Sequence, residues 1–200
     1  MNILISAVGG QGALLASRIL GKLAQNVGLD VKISEVHGMS QRGGSVVTHV
    51  KFGDKIFSPV IESGTADVIL SFELLECANY IHYLKKEGTL IVNTQKIEPM
   101  PVITGATLYP SNLISEISKL PVNLYTVDAV GLASRAGNVK AVNLVLVGIL
   151  ASITDIEKSE WKKVIEETSP LKFLEINLKA FDFGYNYKDS YQSENSYIYG

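Results

Sequence analysis

Hydrophobic side chains recur along the chain with two different spacings. A short apolar run at residues 2–6 predicts a β-strand, and apolar positions at helical spacing over 13–27 predict a helix that stops at Gly28. Runs rich in β-branched and apolar residues predict further strands at 31–36, 45–52, 67–72, 88–93 and 124–127, with a short strand at 55–57. Helical spacing and flanking prolines predict the remaining helices, at 73–86, 111–119, 140–152, 157–168 and 171–181.

The order of these elements predicts the fold. Strands that alternate with helices favour a largely parallel sheet covered on both faces, because each parallel connection needs a crossover that a helix supplies. Residues 31–57 contain a strand, a loop and a strand with no helix between them, so antiparallel pairing is expected there. The sequence therefore predicts a three-layer, Rossmann-like α/β domain with an antiparallel insertion at about 31–57.

The end of the chain differs in composition from the rest. Residues 184–200 place tyrosines among Asn, Ser, Gln, Asp and Lys, so we expect a single domain over 1–183 followed by a Tyr-rich tail. Two interpretations of this tail are open. It is either a frayed terminus or an arm that docks on a partner, a role to which tyrosine is suited.

Composition limits the partners and the chemistry. A net charge of -2 gives no general attraction to nucleic acid or to an anionic membrane, and no apolar run approaches the ~20 residues of a membrane span. The first residues show no basic stretch before an apolar segment, so we expect no signal peptide and a cytoplasmic location.

Cysteine and histidine usage argues against a metal centre in this chain. Cys77 is the single cysteine, whereas an iron–sulfur cluster is normally held by four, and its place in a predicted helix favours a small buried filler. The three histidines show no ligand spacing, so no metal site is expected.

A glycine loop at residues 9–12 separates the first predicted strand from the first helix. Glycines in that position let backbone N–H groups approach a phosphate at the helix N-terminus. Ala7 replaces the first glycine of a dinucleotide fingerprint, although Glu35 lies where a ribose-binding acid belongs. The loop alone leaves open an NAD site, another phosphate ligand, or a tight packing turn.

A second loop, within residues 35–45, concentrates polar side chains beside glycines, in the order Glu-Val-His-Gly-Met-Ser-Gln-Arg-Gly-Gly-Ser. Arg42 could bind phosphate oxygens with two parallel N–H bonds, and the glycines leave room for a ligand. A strand follows this loop, where a dinucleotide-binding unit would begin a helix, which argues against NAD. A solvated connector with Arg42 exposed is the alternative.

Together the two loops resemble a known family. Residues 8–12 and 35–44 are similar to the gamma-type domain of pyruvate/2-oxoacid:ferredoxin oxidoreductases, and the second motif most resembles the beta subunit of the indolepyruvate branch. The resemblance extends roughly over residues 1–168. Two features depart from it: relatives usually have glycine at the position of Ala7, and the Tyr-rich tail has no counterpart.

The resemblance implies a subunit of an enzyme complex, inactive alone. The complex oxidatively decarboxylates a 2-oxo acid, an arylpyruvate in the indolepyruvate branch, and forms an acyl-CoA with CoA as co-substrate. Thiamine diphosphate and 4Fe–4S clusters are expected on a large partner subunit that reduces ferredoxin, while this chain supplies the CoA-associated domain. Three interpretations stay open besides: a homodimer of the isolated chain, an independent NAD(P)-dependent oxidoreductase, and a non-catalytic nucleotide-binding assembly module.

The resemblance and the loop chemistry together predict the residues of the CoA site. These are Gly9, Gly10, Gln11, Gly12, Ser40, Gln41, Arg42, Gly43, Gly44, Glu73 and Asn143. Residues 9–12 could contact either a CoA phosphate or the neighbouring subunit. Glu73 follows a strand's carboxyl end, but it could equally serve the first turn of a helix. Asn143 could cap a loop across the cleft or make a core hydrogen bond. His37 could relay a proton from the CoA thiol or act as a hydrogen-bonding scaffold.

Overall fold

A computed structural model describes residues 1–37 and 44–187 of the 200-residue chain. Its strands are β1 (Asn2–Val8), β2 (Asp30–His37), β3 (Ser45–Gly53), β4 (Ala66–Ser71), β5 (Leu84–Asn93) and β6 (Asn123–Val127). Its helices are α1 (Ala13–Asn26), α2 (Leu74–Tyr80), α3 (Met100–Ile103), α4 (Leu113–Ile117), α5 (Ala129–Ala136), α6 (Val142–Ser152), α7 (Lys158–Thr168) and α8 (Leu174–Tyr185).

The strands form one six-stranded sheet in the order β2-β3-β1-β4-β5-β6. β3 runs antiparallel to both of its neighbours, and the other neighbouring pairs are parallel. In register, Ile5 of β1 lies between Thr48 of β3 and Leu70 of β4. The largely parallel sheet with an antiparallel insertion at about 31–57 is therefore confirmed.

Both faces of the sheet are buried, which gives the three layers. Ile3 and Ile5 of β1 point into a core shared with α1, α5, α6, α7 and α8, whereas Leu4 points into a second core shared with α2 and α4. Because side chains alternate along a strand, one strand contributes to both cores.

Two predicted elements differ in the structure. The segment 55–57 forms no strand, and the predicted helix at 73–86 ends as α2 at Tyr80 with a 3-10 turn over Ile81–Tyr83. Residues 84–87, which contain good helix formers, instead begin β5, because Leu84 pairs with Ala66 of β4. Sheet pairing thus overrides local helix propensity here.

Helix α5 was not predicted from the sequence. This helix is only eight residues long and contains Gly131, a residue that disfavours a helix locally. Asp128 starts it by accepting a hydrogen bond from the Gly131 backbone N–H (2.9 Å).

The last described helix crosses the boundary expected at 183/184. α8 continues to Tyr185, and the Tyr187 hydroxyl donates a hydrogen bond to the Thr126 carbonyl (2.6 Å) on β6. These two tyrosines therefore belong to the folded domain, while residues 188–200 lie outside the described part of the chain. Within the described ranges, no helix is long and apolar enough to cross a membrane.

Candidate functional site

A cleft opens where the parallel strands end. β1, β4, β5 and β6 all finish at this edge of the sheet, and open α/β sheets bind their ligands outside that edge. The cleft has a volume of about 560 Å³ and is lined by Gly10, Gln11, Gly12, Leu15, Gln95, Val130, Val139, Lys140, Val142 and Asn143. The first glycine loop and the start of α6 thus face each other across it.

Two glycines give the first loop its shape. Gly10 has φ +98 and Gly12 has φ +92, a left-handed backbone that favours glycine. Gly12 is also the N-cap of the 14-residue helix α1 and provides no side-chain cap. Among residues 1–37 and 44–187, no acceptor binds the backbone N–H groups of Gly10, Gly12 and Ala13. These donors are therefore free for an anion at the positive end of the α1 dipole.

The side chain of Gln11 braces the loop. Its Oε1 accepts from the Val8 backbone N–H (2.8 Å), and its Nε2 donates to the Phe72 carbonyl (3.0 Å) and to Gln95 Oε1 (3.1 Å). The Gln11 N–H in turn donates to the Val8 carbonyl (3.2 Å). Gln11 is thus engaged within the protein, and its expected contact with CoA stays a prediction.

Asn143 holds the same loop from the opposite wall. It lies on the first turn of α6, is 3% exposed, and its Nδ2 donates a long hydrogen bond to the Gly12 carbonyl (3.4 Å). A methyl group at Gly12 would lie 2.9 Å from that Nδ2, so glycine is needed for this close approach. The expected bridge across the cleft agrees with this geometry; a contact of Asn143 with a ligand stays a prediction.

Lys140 is a cleft residue that sequence reasoning missed. It is exposed at the cleft wall, in a 3-10 turn that Asn138 caps by accepting from the Lys140 backbone N–H (2.9 Å). No carboxylate in the described ranges lies within ion-pair distance of its ammonium group. No local motif marks Lys140, because only the folding of α6 against the first loop brings it there.

The second loop meets the first through its last glycine. The Gly44 carbonyl accepts a hydrogen bond from the Gly9 N–H (2.9 Å), so this pair of predicted site residues is in contact. Ser40, Gln41, Arg42 and Gly43 lie outside the described residues, as does the side chain of His37, whose backbone ends β2. Their expected roles stay predictions.

Glu73 is not one of the residues that line the cleft. It is 1% exposed and caps α2, since its Oε2 accepts from the Glu76 N–H (2.8 Å). Its Oε1 accepts from the Ile97 N–H (2.9 Å) and from the Tyr109 hydroxyl (2.7 Å). Of the two predicted roles of Glu73, the role at the start of a helix is observed, and contact with a ligand stays a prediction.

A second buried carboxylate lies three residues further along, in the first turn of α2. Glu76 is 7% exposed, accepts a hydrogen bond from the Ser45 hydroxyl, and accepts another from Asn79 Nδ2 (3.2 Å). Burial raises the pKa of Glu76, and the negative charge of Glu73 adds to that rise. The sequence gives no sign of this residue beyond its place in α2.

Cys77 is fully buried in the core on the α2 face of the sheet, as expected of a small filler. Burial, and next the charge of Glu73, raise the pKa of its thiol to about 12, so it is not poised as a nucleophile. Within the described residues, no group of three or more His, Cys, Asp or Glu side chains could hold a metal ion.

Comparison with known proteins finds that the chain is similar to one group of enzymes. The family model for pyruvate ferredoxin/flavodoxin oxidoreductase matches residues 2–187. An indolepyruvate oxidoreductase subunit IorB from Pyrococcus horikoshii is 43% identical over 190 residues, which cover 92% of this chain and 93% of that protein.

Solved structures share the fold. The gamma subunit of a keto/oxoacid ferredoxin oxidoreductase from Geobacter sulfurreducens gives a TM-score of 0.70 at 24% identity, over 92% of this chain and 96% of that one. A 2-oxoglutarate:ferredoxin oxidoreductase from Magnetococcus marinus, with 2-oxoglutarate, coenzyme A and succinyl-CoA bound, gives a TM-score of 0.70 at 18% identity. That match covers 92% of this chain and 30% of the larger one.

Proposed function

Because the chain belongs to the pyruvate ferredoxin/flavodoxin oxidoreductase family, we propose that it is the CoA-associated subunit of a 2-oxoacid:ferredoxin oxidoreductase. The proposed substrate is an arylpyruvate such as indolepyruvate, after the name of the Pyrococcus relative. The complex would decarboxylate the 2-oxo acid, reduce ferredoxin and release an acyl-CoA. The chain would not be active alone.

One observation carries the assignment to CoA: the cleft combines backbone donors and a cation that have no partner among the described residues. The N–H groups of Gly10, Gly12 and Ala13 stand at the start of α1, and Lys140 stands on the opposite wall. Helix N-termini and ammonium groups both favour phosphate oxygens, of which CoA has several. The Magnetococcus enzyme, which has the same fold over this region, contains CoA in its structure.

The redox chemistry would belong to a larger partner subunit. The chain has one cysteine, too few for an iron–sulfur cluster, and that cysteine is buried. Thiamine diphosphate, where it is bound, supplies the electron sink for decarboxylation. The residues of this chain would bind and orient CoA so that its thiol reaches the partner's reaction centre.

An NAD site is the main alternative, and the geometry of Glu35 bears on it. Glu35 lies on β2, where its Oε2 accepts a hydrogen bond from Thr48 Oγ1 (3.2 Å) of the antiparallel strand β3. In a dinucleotide-binding unit that acid ends the second of two parallel strands and faces the ribose. The antiparallel insertion therefore favours CoA over NAD.

Calorimetric titration separates the two ligands. We expect the purified complex to bind CoA with a stoichiometry of one per copy of this chain and to give no heat with NADH. Saturable binding of NADH, together with no binding of CoA, would replace the proposed function with the dehydrogenase alternative.

A further inference from the structure

Two buried carboxylates lie at the start of α2, Glu73 as its N-cap and Glu76 in its first turn. Glu73 and Glu76 are 1% and 7% exposed, and no Lys, Arg or His of the described ranges forms an ion pair with either. Burying a carboxylate without a counter-ion opposes folding, and two on one turn also repel each other. Core packing alone therefore does not account for this pair.

Glu73 supports the wall of the cleft that contains Gln95. Its Oε1 accepts from the Ile97 N–H (2.9 Å), and the neighbouring Leu74 N–H donates to the Gln95 carbonyl (3.0 Å). Gln95 Oε1 then accepts from Gln11 Nε2 (3.1 Å). The first turn of α2 is thus connected to the glycine loop from one side.

Glu76 is connected to the same loop from the other side. The Ser45 hydroxyl donates its only hydrogen to Glu76 Oε2, so the Tyr80 hydroxyl, 3.1 Å from Ser45 Oγ, must donate to that oxygen. Ser45 is the first residue of β3, and the carbonyl of the preceding Gly44 accepts from the Gly9 N–H (2.9 Å). Glu76 and Tyr80 therefore fix the backbone at which the two glycine loops meet.

We propose that Glu76 is a positioning residue for CoA: through Ser45 and Gly44 it holds the glycine loop so that the N–H groups of Gly10 and Gly12 face the ligand. This inference rests on the proposed function. Glu76 does not line the cleft, so in this proposal it acts through other residues and does not contact CoA. A small displacement of Gly9 would tilt the N–H groups of Gly10 and Gly12. Because a hydrogen bond weakens steeply as its angle departs from linear, this tilt would lower the affinity of the loop for a phosphate.

The test uses the assembled complex and steady-state ferredoxin reduction, with CoA and the 2-oxo acid varied in turn. Glu76→Ala and Ser45→Ala should each raise the KM for CoA by roughly three- to tenfold, less than the loss of a hydrogen bond to a charged ligand, because the loop N–H groups are displaced and not removed. The KM for the 2-oxo acid and kcat should stay within about twofold, since only CoA binding is disturbed. Glu76→Gln, whose amide oxygen still accepts from Ser45, should resemble the wild-type protein.

Cys77→Ala is the matched control for stability, because it changes the next residue of α2 and removes only core packing. It should lower the melting temperature and leave the KM for CoA unchanged. An equal rise in that KM for Cys77→Ala and Glu76→Ala would reduce Glu76 to a structural role and overturn the inference.

Lys140→Ala separates the inference from the function on which it rests. If Lys140→Ala raises the KM for CoA while Glu76→Ala and Ser45→Ala do not, Glu76 is not a positioning residue and the CoA site stands. If none of the three variants changes that KM, the cleft is not the CoA site and the proposed function fails with the inference.

Discussion

Lys140 is the residue at which the charge of the cleft can be tested most simply. Removing its ammonium group deletes one charge-assisted hydrogen bond to a phosphate, so Lys140→Ala should weaken CoA binding by roughly ten- to a hundredfold. Lys140→Arg keeps the charge and should lose much less. Calorimetric titration of the complex measures both, with Lys119→Ala as the control, since Lys119 is exposed and paired with Glu116 elsewhere.

Wild-type affinity in Lys140→Ala would show that the lysine is solvated and contributes nothing to CoA binding.

Arg42 is the second cation expected at the site, from the sequence motif alone. Arg42→Ala should act in the same direction, and Arg42→Lys should rescue only part of the loss, because an ammonium group cannot form the two parallel bonds of a guanidinium.

His49 makes stability depend on pH. It is 6% exposed on β3, its Nδ1 accepts from the Ile61 N–H (3.2 Å), and burial lowers its pKa. The unfolded chain therefore binds the proton more readily than the folded one. The stability contributed by neutral His49 is present above pH about 6.5 and is lost as the pH falls towards the folded pKa.

Urea unfolding at pH 7.5 and pH 5.5 measures this dependence. We expect the free energy of unfolding to fall at the lower pH, and His49→Gln, which can still accept from Ile61 but does not titrate, to flatten that fall. His82→Gln is the control, because His82 is exposed. An unchanged pH dependence in His49→Gln would contradict the account.

At the scale of elements, α2 and the segment after β5 are joined by Glu73. Its carboxylate accepts hydrogen bonds from Glu76, Ile97 and Tyr109. Glu73→Ala leaves those donors buried without acceptors and removes a helix cap, so we expect a loss of roughly 3 kcal/mol in the free energy of unfolding. Hydrogen exchange should quicken at Ile97 and in the first turn of α2. Glu116→Ala, at an exposed carboxylate, should change neither quantity.

Periodicity predicted the elements in which one residue spacing dominates. α1 and β1 fall where the sequence pattern puts them, because each buries one regular set of apolar positions. Residues 84–87 were predicted wrongly, because Lys85, Lys86 and Glu87 favour a helix locally while Leu84 is paired in the sheet. α5 was missed because it is only eight residues long and contains Gly131, which disfavours a helix locally.

The site could be predicted only where it is local in sequence. The first glycine loop is recognisable because its residues are consecutive and stand between a strand and a helix. Gln95, Lys140 and Glu76 reach the site through tertiary contacts, and none of them belongs to a motif. The left-handed φ of Gly10 also could not be derived from sequence, since glycine adopts either sign readily.

At the scale of the whole molecule, the antiparallel strand explains why two distant loops share one site. The parallel strands β1 and β2 end at the cleft edge of the sheet. β3 runs in the opposite direction, so it begins at that edge. The connection from β2 to β3 therefore lies beside the loop after β1, and Gly44 contacts Gly9. If a helix connected β2 to a parallel strand instead, that strand would begin at the opposite edge of the sheet, away from the loop after β1.

The central claim is that this chain supplies CoA binding to a larger catalytic partner. Reconstitution tests it most directly: ferredoxin reduction is measured with an arylpyruvate and CoA, using the purified partner with and without this chain. We predict that the partner alone shows no CoA-dependent reduction, that adding this chain restores it, and that adding the Lys140→Ala chain restores it with a raised KM for CoA. CoA-dependent reduction by the partner alone, at the rate and KM of the full complex, would contradict the account.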